Sequence, residues 1–257
     1  MRILCLDIPG DVLSEKELQY LQQYREENLD VKKIWHLMDL EWDRCGAGYG
    51  NDRSEAINKF YDSPVWLLNG IFTECDPESA QHRELIADWV ATQKPNLVVD
   101  FGGGYGALAR KIAQRCPNTK VVIVEPHPTA LAKKLAKAYE NLGFATSLPE
   151  NVDLIIAQDV LEHVPDPLAV YNKLLQSTRE NGLLVTANCF YPVIKCHLPS
   201  TFHFRYSFHL IAPLLGCKYI GNVPSVNHAQ VFEKIKSKKT NWKKIRLIER
   251  SYWIPGS

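Results

Sequence analysis

The stretch Val98-Val99-Asp100-Phe101-Gly102-Gly103-Gly104-Tyr105-Gly106 decides the reading of this chain. Leu97 to Phe101 is a short apolar run of the kind buried on both faces of a parallel sheet. Three consecutive glycines follow an acidic residue, which is more conformational freedom than a strand-to-helix turn alone requires. Such a turn lets backbone amides come close to a ligand at the start of the next helix.

Working outward, Lys120–Glu125, Ala145–Ser147, Val152–Gln158 and Gly182–Asn188 read as further strands, with YIGNV and QVFEKIK as later ones. Helical stretches fall between them at about 105–116, 128–142, 166–178 and 205–215. The pattern predicts an α/β fold, a doubly wound mostly parallel sheet covered on both faces, with ligands at the carboxyl ends of its strands.

Residues 1–95 have a different rhythm and are expected to form a helical lid ahead of an α/β domain over 96–257. Ser14 and Glu17 make a capping box, and Asp30 can cap a helix whose Val31, Ile34, Trp35, Met38 and Trp42 share one face. A glycine-bearing loop, CGAGYGNDRS, follows at 45–54, and Asp76-Pro77 starts another helix. The aromatic residues Trp35, Trp42, Tyr49, Tyr61 and Trp66 are expected to line that lid.

The chain has 257 residues, 46% hydrophobic and 23% charged, with a net charge of +1. That excludes a disordered or collagen-like chain and gives no global field for nucleic acid or an anionic membrane. Residues 233–250 carry eight Lys or Arg against two Glu, and a solvated surface is the expected reading of that run. Nucleic acid and membrane are therefore not expected as partners, and no apolar run reaches the length of a membrane span. Seven widely spaced cysteines with no C-x-x-C, and an opening MRILCLDIPGD whose apolar stretch, broken by Asp7, is too short for a signal peptide, predict reduced thiols and a cytoplasmic location.

The glycine loop suits two cofactor classes. Gly102, Gly104 and Ala107 spell G-x-G-x-x-A, and Glu125 stands about 20 residues on, as in a dinucleotide site. Asp100 weighs against that: a carboxylate beside a pyrophosphate is repelled, whereas one beside the amino group and sulfonium of S-adenosylmethionine is attracted.

On these residues the chain resembles the class I S-adenosylmethionine-dependent methyltransferases over roughly 95–235. The resemblance rests on VVDFGGGYG, the acidic end of VVIVEP, the segment VDLIIAQDVLEHVPDP, and GLLVTAN. It implies a seven-stranded sheet of order 3-2-1-4-5-7-6. It also implies cofactor binding by Asp100, Gly102, Gly104 and Glu125, with Gln158 near the methionine end. Where the family often has an acidic residue for the adenine, this chain has Ser147-Leu148-Pro149, so backbone and Leu148 are expected there.

The acceptor would then lie over the ends of the fourth and fifth strands, walled by 158–166 and by 188–207, which carries Phe190, Tyr191, His197, Phe202, His203, Phe204, Arg205 and Tyr206. His163 and His203 are the candidate catalytic residues, although His163 could equally have a structural role. Asp159-x-x-Glu162-His163 is similar to the metal motif of ubiquinone-pathway and small-RNA methyltransferases, with Asp for the first Glu. No metal is assigned, and Mg²⁺ is not expected, because Asp is shorter than Glu. The predicted activity is methyl transfer to an O or N atom of a small molecule, with a homodimer as one assembly. An NAD(P)-dependent oxidoreductase and a non-catalytic cofactor-binding subunit remain as alternatives.

Overall fold

The computed structural model describes residues 2–25, 28–49, 54–235 and 240–252. Gly50 of the expected glycine loop, and Lys236, Lys238 and Lys239 of the basic run, lie outside them. Seven strands form the main sheet: β1 (Leu97–Phe101), β2 (Lys120–Val124), β3 (Leu142–Ala145), β4 (Val152–Gln158), β5 (Thr178–Ala187), β6 (Cys217–Val223) and β7 (Val226–Lys234). Their order is 3-2-1-4-5-7-6, as expected, and only the pairings of β7 with β5 and β6 are antiparallel.

Ten helices accompany the sheet among the described residues: α1 (Glu15–Gln23), α2 (Val31–Arg44), α3 (Ser54–Tyr61), α4 (Pro64–Cys75), α5 (Pro77–Gln93), α6 (Ala107–Arg115), α7 (Ala130–Ala136), α8 (Pro167–Ser177), α9 (Phe204–Ile211) and α10 (Trp242–Ser251). Side chains alternate across each strand, so both layers must be apolar. Val98, Val121, Ile123, Leu154 and Ile156 face α5 and α6, through Ile86, Val90, Leu108 and Ile112. Val99, Val122, Ile155 and Leu184 face α8 and α9, through Leu168, Tyr171, Phe204 and Phe208. Helix α5, placed ahead of the division at residue 95, thus packs on the sheet. Helices α2 and α4 share a separate core with Tyr105, Leu131 and Ile194, which seats them over one end of the strands.

Both N-terminal caps form as read: Ser14 and Glu17 close a capping box, and Asp30 accepts from the Lys33 amide at 2.8 Å. Three expectations are corrected. The third strand is Leu142–Ala145 rather than 145–147, and the helix before it stops at Ala136. Just before the strand, Asn141 Nδ2 lies within hydrogen-bond distance of the carbonyls of Ala113, Cys116 and Thr119 and ties the chain to the end of α6. The basic run is not a plain solvated surface: α10 buries Ile245, and Arg246 pairs with Asp166 and Glu249. Lys234, at the end of β7, is buried with its Nζ on the carbonyls of Gln176 and Thr178. Finally, Cys5 and Cys75 form a disulfide, with Cα atoms 5.6 Å apart, whereas all seven thiols were expected to be reduced. Cysteine spacing could not reveal a pair 70 residues apart, and the finding removes the thiol argument for a cytoplasmic location.

Candidate functional site

The site is built where β1, β2 and β4 end. Gly102 and Gly104 take φ of 70° and 49°, and Gly106 at 79° precedes α6. The turn is tight enough that a Cβ on Gly102 would come within 2.6 Å of Val160, and one on Gly103 within 2.5 Å of the Asp100 carboxylate. Glycine is required there for space as well as for backbone conformation.

Glu125 follows β2 and braces the loop. Its Oε2 accepts the Gly104 amide and its Oε1 the His127 amide, each at 2.9 Å. Each carboxylate oxygen keeps a second lone pair, the capacity a ribose diol needs. Asp100 is 2% exposed. Burial pushes its carboxyl up to about 7, opposed by the Arg83 charge and reinforced by Glu125. A cation entering beside Asp100 would reverse that penalty and ionise it.

Asp100, Gly102, Gly104, Glu125, Gln158 and His163 all line one cavity of about 810 Å³. That is within the roughly 300–1,000 Å³ of small-molecule sites. The side-chain Oε1 of Gln158 is buried without a hydrogen-bond partner. Tyr61 and Trp66, expected in the lid, line the same cavity and stack on each other with centroids 5.1 Å apart. Trp42, by contrast, is buried in the N-terminal core.

Beyond Gln158, Asp159 adopts φ 53° and begins a sharp turn, with Leu161–His163 as one 3₁₀ turn. His163 Nδ1 lies 3.1 Å from the Cys196 carbonyl oxygen, so that nitrogen carries the proton, and its ring meets Trp66 edge-on. Burial, with His197 adding to it, pushes the His163 imidazole down to about 3. A neutral ring is a hydrogen-bond partner or ligand rather than a proton store. Glu162 is fully buried and held above the usual carboxyl range by burial and by Asp159.

His203 is not brought to this cavity. It sits under α10, with its Nε2 3.4 Å from Glu249 Oε1. The rest of 188–207 does not wall the cavity either: Phe190 and Phe204 pack with Phe208 in the core beneath the sheet, Phe202 is buried, and Tyr191 and Tyr206 are exposed. Leu148 also packs against that core, and Thr146 lines the cavity in its place. Arg83, Asn69 and Thr73 line the cavity as well. Sequence reasoning missed them because they lie on helices before the glycine loop and carry no local motif.

Residues 99–184 match the family described as "Methyltransferase domain". An uncharacterized methyltransferase of Mycobacterium sp. (strain KMS) is 37% identical over 113 residues, 39% of this chain and 44% of that protein. The chain therefore spans under half the length of that relative. Among solved structures, human N-acetylserotonin methyltransferase in complex with S-adenosylmethionine superposes with a TM-score of 0.55 at 16% identity. The match covers 86% of this chain and 70% of that one. An O-methyltransferase family protein from Burkholderia thailandensis gives 0.51 at 13% identity, covering 84% and 75%. These two likenesses concern the fold, and they extend over the N-terminal helices as well as the sheet. No helix among the described residues is long and apolar enough to cross a membrane. Residues 99–184 thus match a methyltransferase domain, and the sheet order with the glycine loop between β1 and α6 gives the chain the fold of the class I S-adenosylmethionine-dependent methyltransferases.

Proposed function

We propose that this protein methylates an O or N atom of a small molecule that enters the cavity beside the glycine loop. The single observation that carries this is the shared cavity. The loop, Asp100, Glu125 and Gln158 line it together with Tyr61, Trp66 and His163. The residues suit S-adenosylmethionine: a buried carboxylate for its cationic amino acid end, an unpartnered Gln158 Oε1 for a donor, and a Glu125 carboxylate for ribose hydroxyls. Arg83 faces Asp100 across the same space and would take the methionine carboxylate. When bound, the cofactor supplies a methyl group on an electrophilic sulfonium.

The chain's own part is to hold, align and exclude water. The glycine loop and Glu125 fix the adenosyl end, and Asp100 with Gln158 and Arg83 fix the methionine end. The stacked Tyr61 and Trp66 offer an apolar face for a planar or ring-bearing acceptor. His163 lines the same cavity with Nδ1 tied to backbone, which supports a part in positioning the acceptor. Residues 1–95 then serve as the acceptor-binding lid of the 96–257 domain.

The test is ligand-dependent melting with S-adenosylmethionine, S-adenosylhomocysteine, NADH and NADPH, followed by transfer of labelled methyl to a panel of phenols, hydroxy acids and amines. A ligand at about 100 times its dissociation constant should add roughly 2.7 kcal/mol of stability. Stabilisation by the two adenosyl ligands and labelled product are expected. Stabilisation by a nicotinamide nucleotide alone would make the protein an oxidoreductase, and binding without any transfer would favour the non-catalytic reading.

A further inference from the structure

The cavity beside the glycine loop is unevenly charged. Five carboxylates line it, those of Glu17, Asp62, Asp100, Glu125 and Asp159, against the single guanidinium of Arg83 and no lysine. Counting histidine as neutral, the lining carries a formal excess of four negative charges. On the methyl-transfer reading, on which this inference rests, the cofactor engages Asp100, Glu125 and Arg83. Glu17, Asp62 and Asp159 are then left for the acceptor.

Each of these three commits one oxygen within the protein. Glu17 Oε2 accepts from the Ser14 amide and hydroxyl, Asp62 Oδ1 lies 2.6 Å from His127 Nδ1, and Asp159 Oδ2 accepts from Gln158 Nε2 at 3.3 Å. Their second oxygens have no donor, and no lysine or arginine pairs with any of the three, among the described residues. Aromatic faces adjoin them. Tyr61, next to Asp62 in the chain, stacks on Trp66 with centroids 5.1 Å apart and on His127 at 6.2 Å, and all three rings line the cavity. A ring face is negative, so it attracts a cation as well as another ring. Trp66 Nε1 is buried with no hydrogen-bond partner, a donor still to be satisfied.

We propose that the acceptor is a ring-bearing amine, held as its cation by Glu17, Asp62 and Asp159 with its ring against Tyr61 and Trp66. The charged nitrogen serves recognition and, lacking a lone pair, is not the atom methylated. An acceptor carboxylate or phosphate would find no basic side chain left, because Arg83 is taken by the cofactor. It would meet carboxylates instead, and a walled cleft lined by one sign of charge concentrates the opposite sign and repels its own.

The experiment takes the full chain saturated with S-adenosylhomocysteine and measures by calorimetry the binding of phenethylamine, the neutral hydrocinnamamide and the anionic hydrocinnamate. Phenethylamine should bind at least about tenfold tighter than the amide, hydrocinnamate should bind weakest, and added salt should narrow the gap. Glu17→Gln keeps the capping box, in which glutamine also serves, and Asp159→Asn suits the positive φ there. Each should weaken phenethylamine by about three- to tenfold without touching the amide, and the two together should abolish the preference. Glu15→Gln, the same charge change outside the cavity, should have no effect. Hydrocinnamate bound as tightly as phenethylamine, no saturable binding of any probe, or a preference that survives the double substitution would overturn the inference and leave cofactor binding standing. Failure of S-adenosylhomocysteine itself to bind would overturn the methyl-transfer reading and this inference together. The wild-type ranking decides even where a variant fails to fold.

Discussion

Glu125, at the end of β2, holds the backbone amide of Gly104 at 2.9 Å and so fixes the turn that follows β1. Its other oxygen holds the His127 amide at the same distance, so one carboxylate braces two loops. Replacing it with Ala removes both charge-assisted bonds, each worth about 1.5–3 kcal/mol, and with them the acceptors proposed for the ribose. Glu125→Ala should weaken S-adenosylhomocysteine binding by about 10- to 100-fold in calorimetry. Glu125→Gln, which keeps one acceptor oxygen, should lose less.

The glycine loop gives a steric prediction with an internal control. A Cβ on Gly103 would lie 2.5 Å from the Asp100 carboxylate, whereas one on Gly143, in β3, would meet nothing within 4 Å. Gly103→Ala should cost about 1–3 kcal/mol in denaturant unfolding and impair cofactor binding. Gly143→Ala should be neutral or slightly stabilising. Equal behaviour of the two variants would mean that the loop is not packed as described.

Asp100 predicts a pH dependence. Burial raises its folded value to about 7, above the unfolded 3.8, so between those values the folded chain binds more protons than the unfolded one. Its contribution therefore falls as pH rises from about 4 to about 7, and is constant above that. Asp100→Asn should remove this slope, and the variant should gain stability relative to wild type as pH rises. Cofactor binding should run the other way. The cationic ligand needs the carboxylate, so affinity should increase through pH 6–7 with proton release, seen as a buffer-dependent binding enthalpy.

The Cys5–Cys75 bond closes a loop of sequence separation 70 between the N-terminal residues and the end of α4. By chain entropy such a bridge contributes about 4 kcal/mol. Reductant, or Cys5→Ser, should lower the melting temperature to the same extent, and non-reducing peptide mapping should recover the linked pair. An unlinked pair of peptides from protein prepared under oxidising conditions would refute the assignment.

Much of the cavity's lining around the glycine loop was legible because it is local. Asp100, the three glycines and Glu125 sit at strand ends, and the position of a residue at a strand end follows from the strand itself. Gln158 and His163 were legible for the same reason. His203 was not, because the direction of a residue within a long connection depends on what packs behind it. Phe204 and Phe208 draw that segment into the core, and α10 covers His203 with Glu249. His197 was read as part of a wall, and only the fold sets it against Glu162 and His163.

The sequence by itself determined the alternation of buried strands and helices, the glycine loop and the carboxylates that flank it, while the strand order followed only from the family resemblance. Apolar runs at strand period and glycines at a turn express short-range constraints of backbone and burial. Tertiary structure decided the rest. It closed Cys5 onto Cys75, brought Arg83 and Trp66 from separate helices to one cavity, and gathered two histidines 34 positions apart around a buried carboxylate. These are contacts between segments distant in the chain. Their geometry is set by how whole layers pack, and no local pattern encodes it.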